Sequence, residues 1–177
     1  MPCEKAADGK IDKMQVAFQG ERGAFSESAV YDFFGPHVEV KPCRNLSDVF
    51  QSVENGETEY GVVPIENSLE GSVNQTYDLF LEHDLQVCGE IVIRIVHCLI
   101  AHPETELNAV KTVYSHPQAL AQCRKFLESL GCRLIPTFDT AGSVKMIKEE
   151  GLKDAGAVAS ERAAEIHGMN VLSKEIE

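Results

Sequence analysis

The chain has 177 residues with a hydrophobic fraction of 44% and an aromatic content of 7%, the profile of one or two small α/β domains with a real core. Its 28 acidic residues against 16 basic give a formal net charge of -12, which argues against a nucleic-acid or anionic-membrane surface. A small anionic ligand stays open, because it feels its local site more than the net charge.

Residues 1–13 are polar and aperiodic and read as a disordered tail. Strands and helices then alternate. Gln15 to Phe18 reads as a strand, followed by the glycine loop Gly20 to Gly23. Ser26 to Phe34 is a predicted helix stopped by Gly35-Pro36. Val38 to Val40 is a short strand. Leu46 to Val53 is a helix capped by Asn45 or Ser47 and ended near Gly56. Tyr60 to Ile65 reads as a buried strand. A helix over Val73 to Leu81 follows, with Val73, Tyr77, Phe80 and Leu81 on its apolar face.

Leu85 to Ala101 is rich in β-branched residues without a helical period, so it reads as one long strand or two. Its apolar part is interrupted by Arg94 and His97 and is too short to span a membrane. Beyond it come a strand over Val110 to Tyr114 and a helix over Pro117 to Leu130, ended by Gly131. A strand at Leu134-Ile135, a helix over Ala141 to Lys148 and a strand over Ala157 to Ala159 follow. Ser160 to His167 is a helix, and Val171-Leu172 begins another strand. The alternation predicts α/β architecture with largely parallel sheets.

Two segments carry chemistry. In Gly61-Val62-Val63-Pro64-Ile65-Glu66-Asn67-Ser68-Leu69-Glu70-Gly71 an apolar run ends in a carboxylate, an amide and a hydroxyl, where open α/β sheets place a ligand crevice. Ser115-His116-Pro117-Gln118 opens a helix directly after a strand. Other helix starts also carry small polar residues: Ser26, Ser72, Thr140 and Ser160. Unpaired N–H groups there favour carboxylates. Each has a plainer reading. Ser115 with Gln118, and Ser72 with Gln75, fit capping boxes; Ser160 fits a cap; Asp139-Thr140 fits either an N-cap or a carboxylate cradle with the N–H groups of Ala141 and Gly142. Gln122 lies one turn beyond Gln118, away from the apolar stripe. Glu66 caps the next helix or meets an arginine, or else orders Asn67 and its loop. Asn67 offers donor and acceptor atoms in one rigid group.

The histidines His37, His83, His97, His102, His116 and His167 have no metal-ligand spacing, so no metal is expected. Cys3, Cys43, Cys88, Cys98, Cys123 and Cys132 are scattered without a C-x-x-C pair and read as reduced thiols. With no secretory pattern at the N-terminus, the expected location is cytoplasmic.

Together, Phe18-Gln19-Gly20-Glu21-Arg22-Gly23-Ala24-Phe25-Ser26-Glu27, Pro64-Ile65-Glu66-Asn67-Ser68, Ser115-His116-Pro117-Gln118 continuing to Gln122, and Asp139-Thr140-Ala141 resemble the prephenate dehydratases and the related arogenate dehydratases. The resemblance runs from about Met14 to the end. It implies two α/β lobes with an interlobe cleft, resembling type 2 periplasmic binding proteins: residues 14–88 the first lobe, 89–170 the second, and 171–177 returning toward the first. It implies prephenate dehydratase activity in phenylalanine biosynthesis, with no cofactor, a small-molecule substrate, and a homodimer or higher homo-oligomer. Asn67, Gln122, Ser115 and Glu66 would be catalytic. Ser68, Thr140, Ala141, Gly23, Ala24 and Phe25 would bind substrate. Two departures stand out. The family's Thr-Arg-Phe motif, whose threonine is held to be catalytic, is missing, as is its phenylalanine-sensing ACT-type module. The chain thus reads as a truncated catalytic domain and as a poor catalyst, with an unpaired edge in its first lobe. Arogenate dehydratase is the nearest alternative, and a non-catalytic carboxylate-binding module is the alternative from another class.

Overall fold

The computed structural model of the chain describes residues 14–68 and 71–177; the expected tail at 1–13 lies outside them. The first lobe is built from β1 (Gln15–Gln19), α1 (Phe25–Phe34), β2 (Glu39–Cys43), α2 (Leu46–Glu54) and β3 (Tyr60–Val62). Its sheet has the order β2-β1-β3, all parallel. Val16, Ala17 and Phe18 of central β1 are fully buried, as a strand covered on both faces must be. α2 begins where the Asn45 side chain accepts the Asp48 N–H at 2.8 Å, satisfying one of the donors that a first turn leaves unpaired.

β3 corrects the expectation of a buried strand. It is paired only on its β1 side, so Gly61 is exposed and Tyr60 and Val62 are half-buried. A short antiparallel pair follows, β4 (Glu66–Asn67) with β5 (Gly71–Ser72), and then α3 (Asn74–Glu82). Ser72 lies in β5, and Val73 occupies the N-cap without a side-chain hydrogen bond, so the capping box expected there is not formed. The buried face of α3 is also shifted. Thr76 and Leu79 are buried, whereas Tyr77 is 47% and Leu81 88% exposed. The reason is a polar anchor: Thr76 Oγ1 donates to the Pro64 carbonyl at 2.7 Å, which turns that side of the helix inward.

Leu85 to His97 crosses to the second lobe without regular structure; only Cys98–Ala101 forms a strand, β6. β-branched residues favour extended backbone, but a ladder needs a neighbouring strand in register. The second lobe continues with β7 (Thr112–Ser115), α4 (Pro117–Gln122), α5 (Arg124–Leu130), β8 (Arg133–Pro136), α6 (Thr140–Glu149), β9 (Ala155–Ala159), α7 (Glu161–His167) and β10 (Asn170–Lys174). The single helix expected over 117–130 is divided at Cys123, whose φ of -91° and ψ of 8° end α4 and begin α5.

The second sheet has the order β10-β6-β9-β7-β8. β7 is parallel to both β8 and β9, while β6 is antiparallel to β9 and β10. All of β9 is buried. Alternate side chains feed two cores: Ile100 and Ala157 join Val144, Ile147 and Ala163 on one face, and Leu99 and Val158 join Val113, Leu120 and Leu127 on the other. β10 belongs to this sheet, which differs from the expected return of 171–177 to the first lobe. Val171 packs against one core, and Leu172 with buried Ile176 against the other. Only Glu177, at the end, reaches the cleft between the lobes.

The lobes are joined at the glycine loop. Fully buried Glu27 of α1 accepts the Gly23 N–H at 2.7 Å and Arg162 Nε of α7 at 3.2 Å, and Arg22 Nε lies 2.5 Å from its other oxygen. Ser160 Oγ donates to the Gly23 carbonyl at 2.5 Å and accepts the Ala163 N–H at 3.1 Å. Ser160 is therefore both the helix cap expected of it and a tie between lobes. Arg162 also stacks on the Tyr31 ring at 4.6 Å, and Lys145 Nζ lies 3.5 Å from Glu21.

His167, at the end of α7, has a folded-state pKa held below its ordinary 6.5 by burial first, then by Lys148 and Lys145. The unfolded chain therefore binds this proton more readily than the folded one. Stability from this group is intact above pH 6.5 and is lost as the pH falls below that value toward the depressed folded pKa. Urea midpoints of His167→Gln are expected to fall less than wild-type midpoints across that acid window. Parallel curves for the two proteins count against it.

Candidate active site

A cleft of about 870 Å³ opens beside the free edge of β3. It is walled by the first lobe, by the crossing segment, and by Gln122 and Glu177 from the second lobe. Among the sequence-predicted residues it brings together Phe25, Glu66, Asn67, Ser68 and Gln122. The polar wall from 66 to 68 is held in place from behind. Val73 N–H donates to the Ile65 carbonyl at 2.8 Å, and Thr76 holds Pro64. Glu66 and Ser68 are exposed and Asn67 is half-buried.

Other predicted residues take different places. Ser115 is fully buried, and its hydroxyl donates to the Val158 carbonyl at 2.6 Å. It ties β7 to β9 rather than facing the cleft or closing a capping box. The cap of α4 is instead His116, whose Nδ1 accepts the Gln118 N–H at 3.3 Å. Thr140 and Ala141 are also absent from the cleft wall. Ala141 is 1% exposed within a core, and Asp139 caps α6 by accepting the Gly142 N–H. The cradle expected for a ligand carboxylate is thus filled by the chain's own carboxylate. Burial raises the pKa of Asp139, and the Gly142 N–H partly offsets this. Gly23 and Ala24 likewise fall outside the cleft wall, Gly23 being used at the seam between lobes.

His97 is the residue that sequence reasoning passed over. It is 3% exposed, and its Nε2 lies 2.8 Å from Gln122 Oε1. Its backbone N–H donates to Glu177 at 2.9 Å, and Phe25 meets its ring edge-on at 5.4 Å. A polar ring inside the apolar run Ile91–Ala101 was the available signal.

Burial raises the pKa of Cys98, and that of Cys123 to about 12, so both stay protonated thiols, which are weak nucleophiles. Among the described residues no group of three His, Cys, Asp or Glu is placed to hold a metal ion, and no helix is long and apolar enough to cross a membrane. The polar wall therefore offers amide and hydroxyl groups beside an apolar floor, an arrangement that orients a small polar ligand.

Residues 16–177 match the family model described as prephenate dehydratase. The chain is 45% identical over 165 residues to arogenate dehydratase/prephenate dehydratase 2, chloroplastic, of Arabidopsis thaliana, covering 93% of this chain and 43% of that relative. It thus spans less than half the length of this relative. Among solved structures, prephenate dehydratase from Arthrobacter aurescens in complex with L-Phe superposes with a TM-score of 0.84 at 30% identity, over 92% of this chain and 55% of that one. A protein described as a novel type of quorum quenching acylase superposes with a TM-score of 0.85 at 36% identity, over 92% and 59% of the two chains.

Proposed function

Because the chain belongs to the prephenate dehydratase family, we propose that its cleft binds prephenate and serves its decarboxylating dehydration to phenylpyruvate. The observation that carries this reading is the meeting of Asn67, Ser68 and Gln122, from two different lobes, on one cleft. In the reaction the bond from C1 to its carboxylate breaks and carbon dioxide leaves. The electron pair enters the ring, and the C4 hydroxyl departs, taking up one proton to become water. The ring becomes aromatic, so no covalent intermediate with the protein is needed. What the protein must supply is orientation of the dianion and hydrogen bonds to the departing oxygen.

Asn67 and Gln122 are the amides suited to these tasks, since each carries two N–H donors. Glu66 is a carboxylate on the same wall and serves best by ordering the 66–68 turn, because its charge opposes that of the ligand. Arogenate presents the same ring and hydroxyl with an amino-acid side chain in place of the keto acid. It is the second reading, favoured by the double name of the Arabidopsis relative.

Asn67→Ala is expected to weaken prephenate binding by about 1–3 kcal/mol, the range for a hydrogen bond to a charged group. Gln75→Ala, on the exposed side of α3, is the control and should bind as wild type. Titration calorimetry with prephenate and with arogenate checks both. Equal affinity in wild type and Asn67→Ala removes Asn67 from the site, and binding of neither compound by the wild type removes the reading.

A further inference from the structure

We propose that His97 is a positioning residue: it holds the Gln122 carboxamide so that its N–H groups, and not its carbonyl, face the cleft. The inference deepens the reading above and rests on Gln122 being a substrate contact.

His97 stands behind Gln122. Gln122 lines the cleft, while His97 is 3% exposed and sits at the head of β6. One ring nitrogen, Nε2, is 2.8 Å from Gln122 Oε1. The other, Nδ1, is buried and makes no hydrogen bond to any described residue. Phe25 packs edge-on against the ring, its plane at 84°, and the backbone N–H of His97 is held by Glu177.

These contacts choose between two arrangements. In the first, the ring proton is on Nε2 and is donated to Gln122 Oε1, leaving Nδ1 as a bare acceptor. In the second, the amide is rotated by half a turn, its nitrogen donates to Nε2, and the ring proton sits on Nδ1. The second buries an N–H with no acceptor. Orphaned buried N–H groups are rarer than under-used acceptors. The first arrangement is therefore favoured, and it points both amide hydrogens of Gln122 to the cleft. That is the orientation a dianion with a departing hydroxyl requires. A carbonyl in the same place would repel a carboxylate and could not hydrogen-bond the leaving oxygen as a donor.

Nothing here calls for contact between His97 and substrate. Its effect passes through the orientation of one amide, so it should depend on whether position 97 supplies a donor at the place of Nε2. His97→Gln supplies one, because the terminal nitrogen of glutamine reaches that place. His97→Phe keeps the ring and its packing on Phe25 and supplies none.

Two measurements test this. Nitrogen NMR of the ligand-free protein is expected to show the His97 ring proton on Nε2; a proton on Nδ1 overturns the proposal whether or not prephenate binds. Calorimetry with prephenate is expected to show His97→Phe binding about tenfold more weakly than wild type, the scale of a hydrogen bond to a charged group. Gln122→Ala should be weakened similarly. The double variant should be no weaker than Gln122→Ala alone, and His97→Gln should stay within about threefold of wild type, since it retains the donor. His97→Phe with wild-type affinity, or losses that simply add in the double variant, overturn the proposal. A wild type that binds no prephenate while its His97 proton sits on Nε2 removes the substrate reading and leaves the positioning of Gln122 supported.

Discussion

Replacing Gly23 by alanine is expected to lower the stability of the folded chain by about 3 kcal/mol, from backbone strain and overpacking together. Gly23 has a φ of +93°, and a Cβ there would stand 2.7 Å from Ala163 Cα and 2.9 Å from Ala163 Cβ. The obstacle is largely helix backbone, not the end of a flexible side chain. Ala163 is itself fully buried in the second lobe, in the core it shares with Val144 and Ile147, so α7 can retreat only by disturbing that core. For a chain of this size the loss corresponds to a fall of roughly 6–12 °C in Tm. Gly35 is the control. It also has a positive φ, +85°, but nothing lies within 4 Å of its missing Cβ. Gly35→Ala should therefore cost about 1–3 kcal/mol, from backbone strain alone, and less than Gly23→Ala, which adds the clash. Calorimetric scans of the two variants separate crowding from strain. Equal melting temperatures for both would mean that the seam yields freely and the argument fails.

Glu27→Ala is the second large effect, with an expected loss of about 2–4 kcal/mol from an unsatisfied donor and a new cavity. Its carboxylate is fully buried and is the acceptor of the Gly23 N–H and of Arg162, 135 positions away. Once it is removed, the Gly23 N–H has lost its acceptor inside the seam, and Arg22 and Arg162 are left as neighbouring like charges. The arginines are 49% and 37% exposed and recover water, so their share is small. Glu27→Gln keeps an oxygen for the Gly23 N–H and should lose about half as much. Urea unfolding decides the matter: a Glu27→Gln variant as unstable as Glu27→Ala assigns the effect to the charge rather than to the acceptor. If the seam also fixes the lobes, prephenate affinity should fall in Glu27→Ala although Glu27 does not line the cleft.

The sequence by itself determined the alternation of elements and most helix starts, and it marked the stretch Pro64 to Ser68, which lines the cleft, as a candidate site. These are local matters. Asn45 and Ser160 are caps because of their own side chains and the next turn of chain. Glu66, Asn67 and Ser68 were legible because they are polar groups directly after an apolar run, whereas Phe25 and the substrate role of Gln122 came only from the family resemblance. Tertiary structure alone decided which of the polar helix starts reach the cleft. Ser115 has the right type and place in sequence, but its hydroxyl meets Val158 from a strand 43 positions away. Gly23 looked like a loop open to a ligand and is closed by Ala163, 140 positions on. The same limit hid His97, whose partner Gln122 is 25 residues distant. It also misplaced β10, because nothing in Val171-Leu172 says which sheet edge is free to receive it. Pairing and hydrogen-bond satisfaction are settled by neighbours in space, and a single chain read in order specifies the groups that need partners without saying which partners arrive.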